Sequence, residues 1–213
     1  MSPLNPRHGV AAFDFDGTLT RRSQLERFVL EAGGYRRTLG AVLRSLPAVA
    51  QLPRSSAHRD TAKSTVLRRV FANMDGRKLD ALGKQFALEV LRSRMRDDVL
   101  ARLAWHQRQG HTTVIVSASL TDYLVPLGAR LGVDSVLCTE LDRRDGQLTG
   151  ELRGNNVRGE EKVRRLEAWL KSKFDEEPIE LWAYGDTSGD TAMLARADHA
   201  TWITKTPITA IPN

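Results

Sequence analysis

Short runs of β-branched and apolar residues alternate along this chain with longer stretches in which apolar positions return every three or four residues. The first run, Gly9 to Phe15, is rich in Val, Ala and Phe and ends in acidic residues and Gly17. That pattern predicts a buried strand followed by a sharp loop. From Ser23 to about Arg108 the spacing turns helical. Leu25, Phe28, Val29 and Ala32 share one face, as do Leu79, Leu82, Phe86 and Val90. No strand pattern interrupts this stretch, so residues 21–95 are expected to form a helical insertion, with breaks at Pro47 and Pro53.

Thr112 to Ser117 has the β-branched composition of a strand buried on both faces, ending at a polar loop, Ser117-Ala118-Ser119. A helix from about Thr121 to Leu131, closed by Gly132, leads to a strand over Ser135 to Leu141. Asp145-Gly146 marks a hairpin turn and a short antiparallel excursion. Glu160 to Phe174 repeats apolar residues at Val163, Leu166, Leu170 and Phe174, one face of an amphipathic helix. Glu180 to Tyr184 and Ala200 to Thr204 read as two more strands, separated by a helix near Thr191 to Ala197. Strands alternating with helices predict an α/β fold: a Rossmann-like, doubly wound parallel sheet, with a helical domain inserted after the first strand. The expected division is a core of 1–20 and 96–213 and a cap of 21–95. At 213 residues the chain is long enough for both units.

Composition excludes several classes. A lone cysteine, Cys138, rules out an internal disulfide framework, fits a reducing compartment and reads as a small buried residue within a strand. Asp14 and Asp16 interrupt the apolar run Val10 to Phe13, which argues against a secretory signal. No stretch reaches the roughly 20 apolar residues that span a bilayer, so a cytoplasmic location is expected. Charge is uneven. Residues 21–110 hold 19 Lys or Arg against 8 Asp or Glu in a chain whose net charge is +6. Such a surplus suits either a solvated Arg-rich helical surface or a face that meets nucleic acid, anionic lipid or an anionic substrate. Nucleic acid is not expected, because few aromatic residues accompany the basic ones. A stripe of Leu39, Val42, Leu43, Leu46, Val49 and Leu52 reads as cap core, or as a surface for an acyl chain and peripheral membrane contact.

Four polar clusters fall at predicted strand ends or helix starts, where open α/β sheets place ligands. They are Asp14-Phe-Asp16-Gly-Thr18, Ser117-Ala118-Ser119, Gly159-Glu-Glu-Lys162 and Gly185-Asp186-Thr-Ser-Gly-Asp190. Two carboxylates as close as Asp14 and Asp16 repel and call for a cation. Mg²⁺ suits them, being a hard ion held by few carboxylates, with Asp186 offering a further oxygen. Ser117 offers a hydroxyl, and the amides of Ala118 and Ser119 are expected at the start of a helix, a position that suits a phosphate oxygen, or else Ser119 or Thr121 merely caps the helix. Lys162 stands in a first helical turn, where the dipole disfavours a cation unless an anionic partner is present.

In this order the four clusters resemble the motifs of the haloacid dehalogenase superfamily over about Val10 to Trp202. The insertion resembles the cap of the subfamily containing phosphoserine phosphatases, and Gly-Glu-Glu-Lys-Val with Ser-Ala-Ser resembles the hydrolases grouped with phosphatidylglycerophosphatase C. The resemblance implies a Mg²⁺-dependent phosphatase acting on a phosphomonoester. Asp14 would be the nucleophile that forms an aspartyl-phosphate, and Asp16 the acid and base. Asp14, the backbone carbonyl of Asp16, and Asp186 would hold Mg²⁺, while Ser117, Ala118 and Lys162 bind the phosphoryl oxygens. Asp190 would orient Lys162 or a metal-bound water, and Thr18 would shape the loop. Phosphoserine phosphatases carry Glu where this chain has Ser23 and Asn where it has Gly189. These departures weigh against phosphoserine while leaving the phosphoryl chemistry intact; a small phosphorylated substrate with an anionic or lipid-like leaving group is expected, with a phosphoserine phosphatase or a lipid-phosphate phosphatase specifically as the alternatives. A non-catalytic basic module on the same fold would be expected to lose at least one of Asp14, Asp16, Lys162 and Asp186, and all four are present.

Overall fold

The computed structural model describes residues 7–50, 65–175 and 177–208, with the side chains of 45–50 excepted. Five parallel strands form one sheet in the order β3-β2-β1-β6-β7. They are β1 (His8–Phe13), β2 (Thr112–Leu120), β3 (Ser135–Thr139), β6 (Ile179–Gly185) and β7 (His199–Trp202). A separate antiparallel hairpin pairs β4 (Leu141–Arg144) with β5 (Gln147–Leu152). Its turn residues Asp145 and Gly146 both take positive φ, at 52° and 78°, the handedness a two-residue hairpin turn requires.

The central strand β1 is continuously apolar because both its faces are covered. Val10 and Ala12 point to one cluster, with Val114, Val116, Leu181, Leu166 and Leu170. Ala11 and Phe13 point to the other, with Ile115, Tyr184, Leu103 and Leu124. The first cluster is covered by α6 (Glu160–Phe174) and α7 (Thr191–Arg196). The second is covered by α4 (Asp97–Arg108) and α5 (Thr121–Leu131).

Between β1 and α4 the chain forms α1 (Leu25–Ala50), a helical segment α2 (65–71) and α3 (Gly76–Ser93). The insertion leaves and returns at one point. Thr20 bridges Met95, Arg21 N donates to Arg94 O at 3.1 Å, and Arg96 N donates to Leu19 O at 2.9 Å. It packs on the sheet domain through an aromatic cluster in which Phe28 and Phe86 meet Tyr123 of α5, with ring centres 4.7 and 5.2 Å away. Helix α3 crosses the start of α5 at Gly83, where a Cβ would come within 2.1 Å of the Asp122 carbonyl oxygen. Arg143 of the β-hairpin ties the same contact, donating to Asp80 of α3 and Asp122 of α5, each at 2.6 Å.

Several sequence expectations need correction. The break in α1 lies at Gly34, with φ 69° and ψ 159°, and the helix runs on through Pro47 to Ala50. Pro53 lies outside the described residues. Of the expected apolar stripe, Leu39, Val42 and Leu43 are exposed, at 42%, 40% and 55%, and the side chains of Leu46, Val49 and Leu52 lie outside the described residues. Strand β2 does not stop at Ser117. Its pairing with β3 shifts register after Ser117 and resumes with Leu120 opposite Thr139, so residues 118 and 119 form a bulge inside the strand. The strand expected over Ser135 to Leu141 ends at Thr139, and Leu141 opens the hairpin instead. Cys138 is buried, and burial pushes its thiol up to about 11. No described helix is long and apolar enough to cross a membrane.

Candidate active site

The sheet brings the sequence clusters together at the carboxyl ends of β1, β2 and β6. Asp14 follows β1 directly, its amide donating to Tyr184 O of β6 at 2.9 Å. The chain then turns through Phe15–Leu19, where Asp16 and Gly17 leave helical geometry. Gly17, at φ 91°, lies so close to β6 that a Cβ would reach Asp186 Oδ2 at 2.2 Å. Thr18 Oγ1 donates to Asp186 Oδ1 at 3.3 Å. The expected loop-shaping role of Thr18 thus takes a specific form, a hydroxyl that steadies Asp186.

Lys162 is 2% exposed and lies on the buried face of α6, one, two and three helical repeats of four before Leu166, Leu170 and Phe174. That face delivers its ammonium beneath the sheet edge. Lys162 Nζ donates to Asp14 Oδ1 and Asp190 Oδ1, both at 2.5 Å. Asp190 is held in turn by the Thr187 amide and hydroxyl, each donating to Oδ2 at 2.9 Å. One carboxylate oxygen from each of Asp14, Asp186 and Asp190 lies within 4.8 Å of the others.

The electrostatics are those of a carboxylate cluster with too little positive charge. Burial pushes the Asp14 carboxyl up to about 7, against the opposing pull of Lys162. Burial, then the neighbouring Asp190, raises Asp186 as well. Asp190 stays below its usual range because Lys162 and the Thr187 donors outweigh burial. Lys162 itself is held charged, burial being overcome by Asp14 and Asp190. Three carboxylates and one ammonium leave excess negative charge in a buried place, a donor set that fits a hard divalent cation.

Asp16 stands apart from this triad. Its Oδ1 accepts from the Gln24 amide and its Oδ2 from the Ser119 hydroxyl, both at 2.6 Å, and Tyr123 OH donates to Ser119 Oγ at 2.7 Å. Its side chain is therefore anchored on the α1 and α5 side of the cleft. Ser119 and Thr121 are not helix caps. Thr121 Oγ1 donates to Thr139 O at 3.0 Å, and α5 is capped at Leu120 without any side-chain bond. Ser117 is buried, and its Oγ accepts from the Ser119 amide at 3.2 Å. The amides of Ala118 and Ser119 thus sit in the β2 bulge ahead of the helix. Gln24, Ser119, Tyr123 and Thr187 were not picked out as partners of the acidic residues. Ser119 and Thr187 lie inside the polar clusters that the sequence marks, whereas Gln24 and Tyr123 carry no local signal.

Residues 11–195 match the haloacid dehalogenase-like hydrolases as a family. The chain belongs to the haloacid dehalogenase-like hydrolases. It is 35% identical over 190 residues to the protein CicA of Caulobacter vibrioides (strain NA1000 / CB15N), covering 89% of this chain and 83% of that one. Among solved structures it resembles a protein of unknown function from Bordetella pertussis Tohama I, with a TM-score of 0.70, 21% identity, and coverage of 89% of this chain and 87% of the other. It also resembles a phosphoserine phosphatase solved as a phospho-aspartyl intermediate analogue, with a TM-score of 0.62, 18% identity, and coverage of 90% and 84%. At these identities the structural likenesses establish the fold, a haloacid dehalogenase-type sheet with helices inserted after its first strand.

Proposed function

We propose that this haloacid dehalogenase-like hydrolase is a Mg²⁺-dependent phosphatase that hydrolyses a phosphomonoester through an aspartyl-phosphate on Asp14. The observation that carries the reading is the buried Lys162 ammonium held between Asp14 and Asp190, with Asp16 anchored separately across the cleft. An Asp–Lys–Asp arrangement alone would be a structural ion pair. Here it stands at the sheet's carboxyl edge, and it leaves a net negative triad open to a cation.

In this reading an Asp14 oxygen attacks phosphorus while the bond to the leaving oxygen breaks, and Asp16 gives that oxygen a proton. Asp16 then takes a proton from water as the water oxygen attacks the aspartyl-phosphate, which releases phosphate and restores the Asp14 carboxylate. Lys162 stabilises the charge on the transferring group, and Asp190 holds Lys162 in place. Ser117 and the amide of Ala118 face the same oxygens. Asp14, the Asp16 backbone carbonyl and Asp186 would hold Mg²⁺, which would supply positive charge to offset that of the phosphoryl oxygens. Asp190 sits close enough to belong to the same cation site. Residues 21–95 act as the cap over this site, on a core of 1–20 and 96–213, a division supported by the pinch where Thr20 bridges Met95.

Phosphoserine is not favoured as the substrate, since Ser23 is exposed and offers no carboxylate to an ammonium. The test is release of phosphate from an aryl phosphate with Mg²⁺ and with excess EDTA. Release that stops on chelation and returns with Mg²⁺ is the expected result, and full activity in EDTA overturns the metal assignment.

A further inference from the structure

The loop that carries Asp186 and Asp190 has Gly189 between them, and the guanidinium of Arg158 lies across that glycine. A Cβ at Gly189 would meet Arg158 Nε at 3.0 Å, Cγ at 3.1 Å and Cζ at 3.3 Å. Any larger side chain would push the arginine aside. The backbone under the contact is pinned, with Gly159 N donating to Gly189 O at 2.9 Å and Arg158 N donating to Asn156 O at 2.8 Å. The loop that positions Asp190 therefore also positions Arg158.

Four neighbouring arginines are matched to carboxylates. Arg68 pairs with Glu151 at 3.0 Å, Arg153 with Glu140 at 3.2 Å, and Arg164 and Arg165 with Glu161 at 2.6 and 2.8 Å. Among the described residues Arg158 has no carboxylate at ion-pair distance. Arg158 instead lines a cleft of about 1000 Å³ between α2 and residues 151–161, together with Arg69, Asn155 and Asn156. The cleft reaches Glu160 and Glu161, the first turn of the helix that carries Lys162. A half-buried cation packed on the loop that carries Asp186 and Asp190, facing a polar cleft and lacking a carboxylate of its own, is arranged to receive an anion from outside.

We propose that Arg158, given room by Gly189, binds an anionic group on the leaving group of the phosphomonoester and so selects substrates that carry a second anion. This rests on the phosphatase reading. A guanidinium fork suits either a carboxylate or a second phosphate, which it can hold through two parallel hydrogen bonds.

The experiment measures kcat/KM of the Mg²⁺-loaded protein on phenyl phosphate, 4-carboxyphenyl phosphate and 1,4-phenylene bisphosphate. Wild type is compared with Arg158→Ala, Arg158→Lys and Gly189→Asn. Arg158→Ala is expected to lower kcat/KM about tenfold or more on the carboxylated or bisphosphorylated substrate, chiefly through KM, and to leave phenyl phosphate within about twofold. Whichever of the two suffers the larger loss identifies the preferred anion. Arg158→Lys should keep part of the selectivity, and Gly189→Asn should lose it by displacing the arginine. Equal losses on all three substrates would place Arg158 at the phosphoryl group and overturn the inference, as would no loss on any. If wild type hydrolyses none of the three, the phosphatase reading falls and this inference falls with it.

Discussion

Lys162 Nζ lies 2.5 Å from Asp14 Oδ1, although 148 positions separate the two residues in the chain. The contact exists because α6 packs its 162–166–170–174 face on the sheet while β1 ends directly beside it. Replacing Lys162 by Met keeps the apolar stem and removes the charge. Loss of one such donor to a reacting oxygen costs about 10²–10³ in kcat. Lys162→Met is therefore expected to lose activity on that scale. A steady-state assay checks it, and a variant within about threefold of wild type would show that the pair is structural only.

Gly17 should matter to the cation site more than to the fold. A Cβ there collides with the Asp186 carboxylate at 2.2 Å. Gly17→Ala is expected to raise the Mg²⁺ concentration for half-maximal activity about tenfold or more, since one hard-ion ligand is displaced. Gly34→Ala makes the control. Gly34 has a positive φ of 69° but nothing within 4 Å of its Cβ position. Its strain should cost about 1–3 kcal/mol of stability and leave the Mg²⁺ requirement unchanged. Magnesium titrations of both variants, with melting curves, separate the two effects.

Acid stability should depend on His106. The ring is fully buried, bonded to Tyr184 OH at 2.9 Å and to His111 Nδ1 at 2.8 Å. Burial, then His111 and Arg102, lowers it from 6.5 to about 3. Between those values the unfolded chain binds a proton that the folded chain refuses, so stability is lost as pH falls through this window. At pH 5 the loss relative to neutral pH is about 2 kcal/mol from this one group. Urea unfolding at pH 7 and pH 5 should show that wild type loses about this much more than His106→Gln. Equal losses in the two proteins would show that His106 does not titrate in this way.

Much of this was legible in the sequence, and the failures have physical causes. The helix Glu160–Phe174 has the boundaries its periodicity and flanking glycine indicate, because its apolar face is strict and its ends are marked. The strands were legible from unbroken apolar runs, since a parallel sheet buries both faces. The bulge at residues 118 and 119 was not, because polar residues at a strand end look like a loop until the pairing partner Thr139 is known. Pro47 suggested a break that Gly34 supplies instead, a glycine at positive φ that no periodicity marks. The acidic and basic residues of the site were readable as clusters, yet their grouping was not. That Asp190 joins Asp14 and Asp186 while the Asp16 side chain turns to Ser119 depends on loop geometry after β1 and β6. Likewise Gly189 was visible as a departure, but the arginine it admits comes from a distant loop.

Whether Asp14 carries the phosphoryl group is decided by trapping it. Turnover of an aryl phosphate quenched with borohydride reduces an aspartyl-phosphate to homoserine, which peptide mass spectrometry locates by residue. Homoserine at position 14 in wild type, with none in Asp14→Asn and no phosphate released by that variant, is the expected outcome. Near wild-type phosphate release by Asp14→Asn, or homoserine at any other aspartate, would contradict the mechanism.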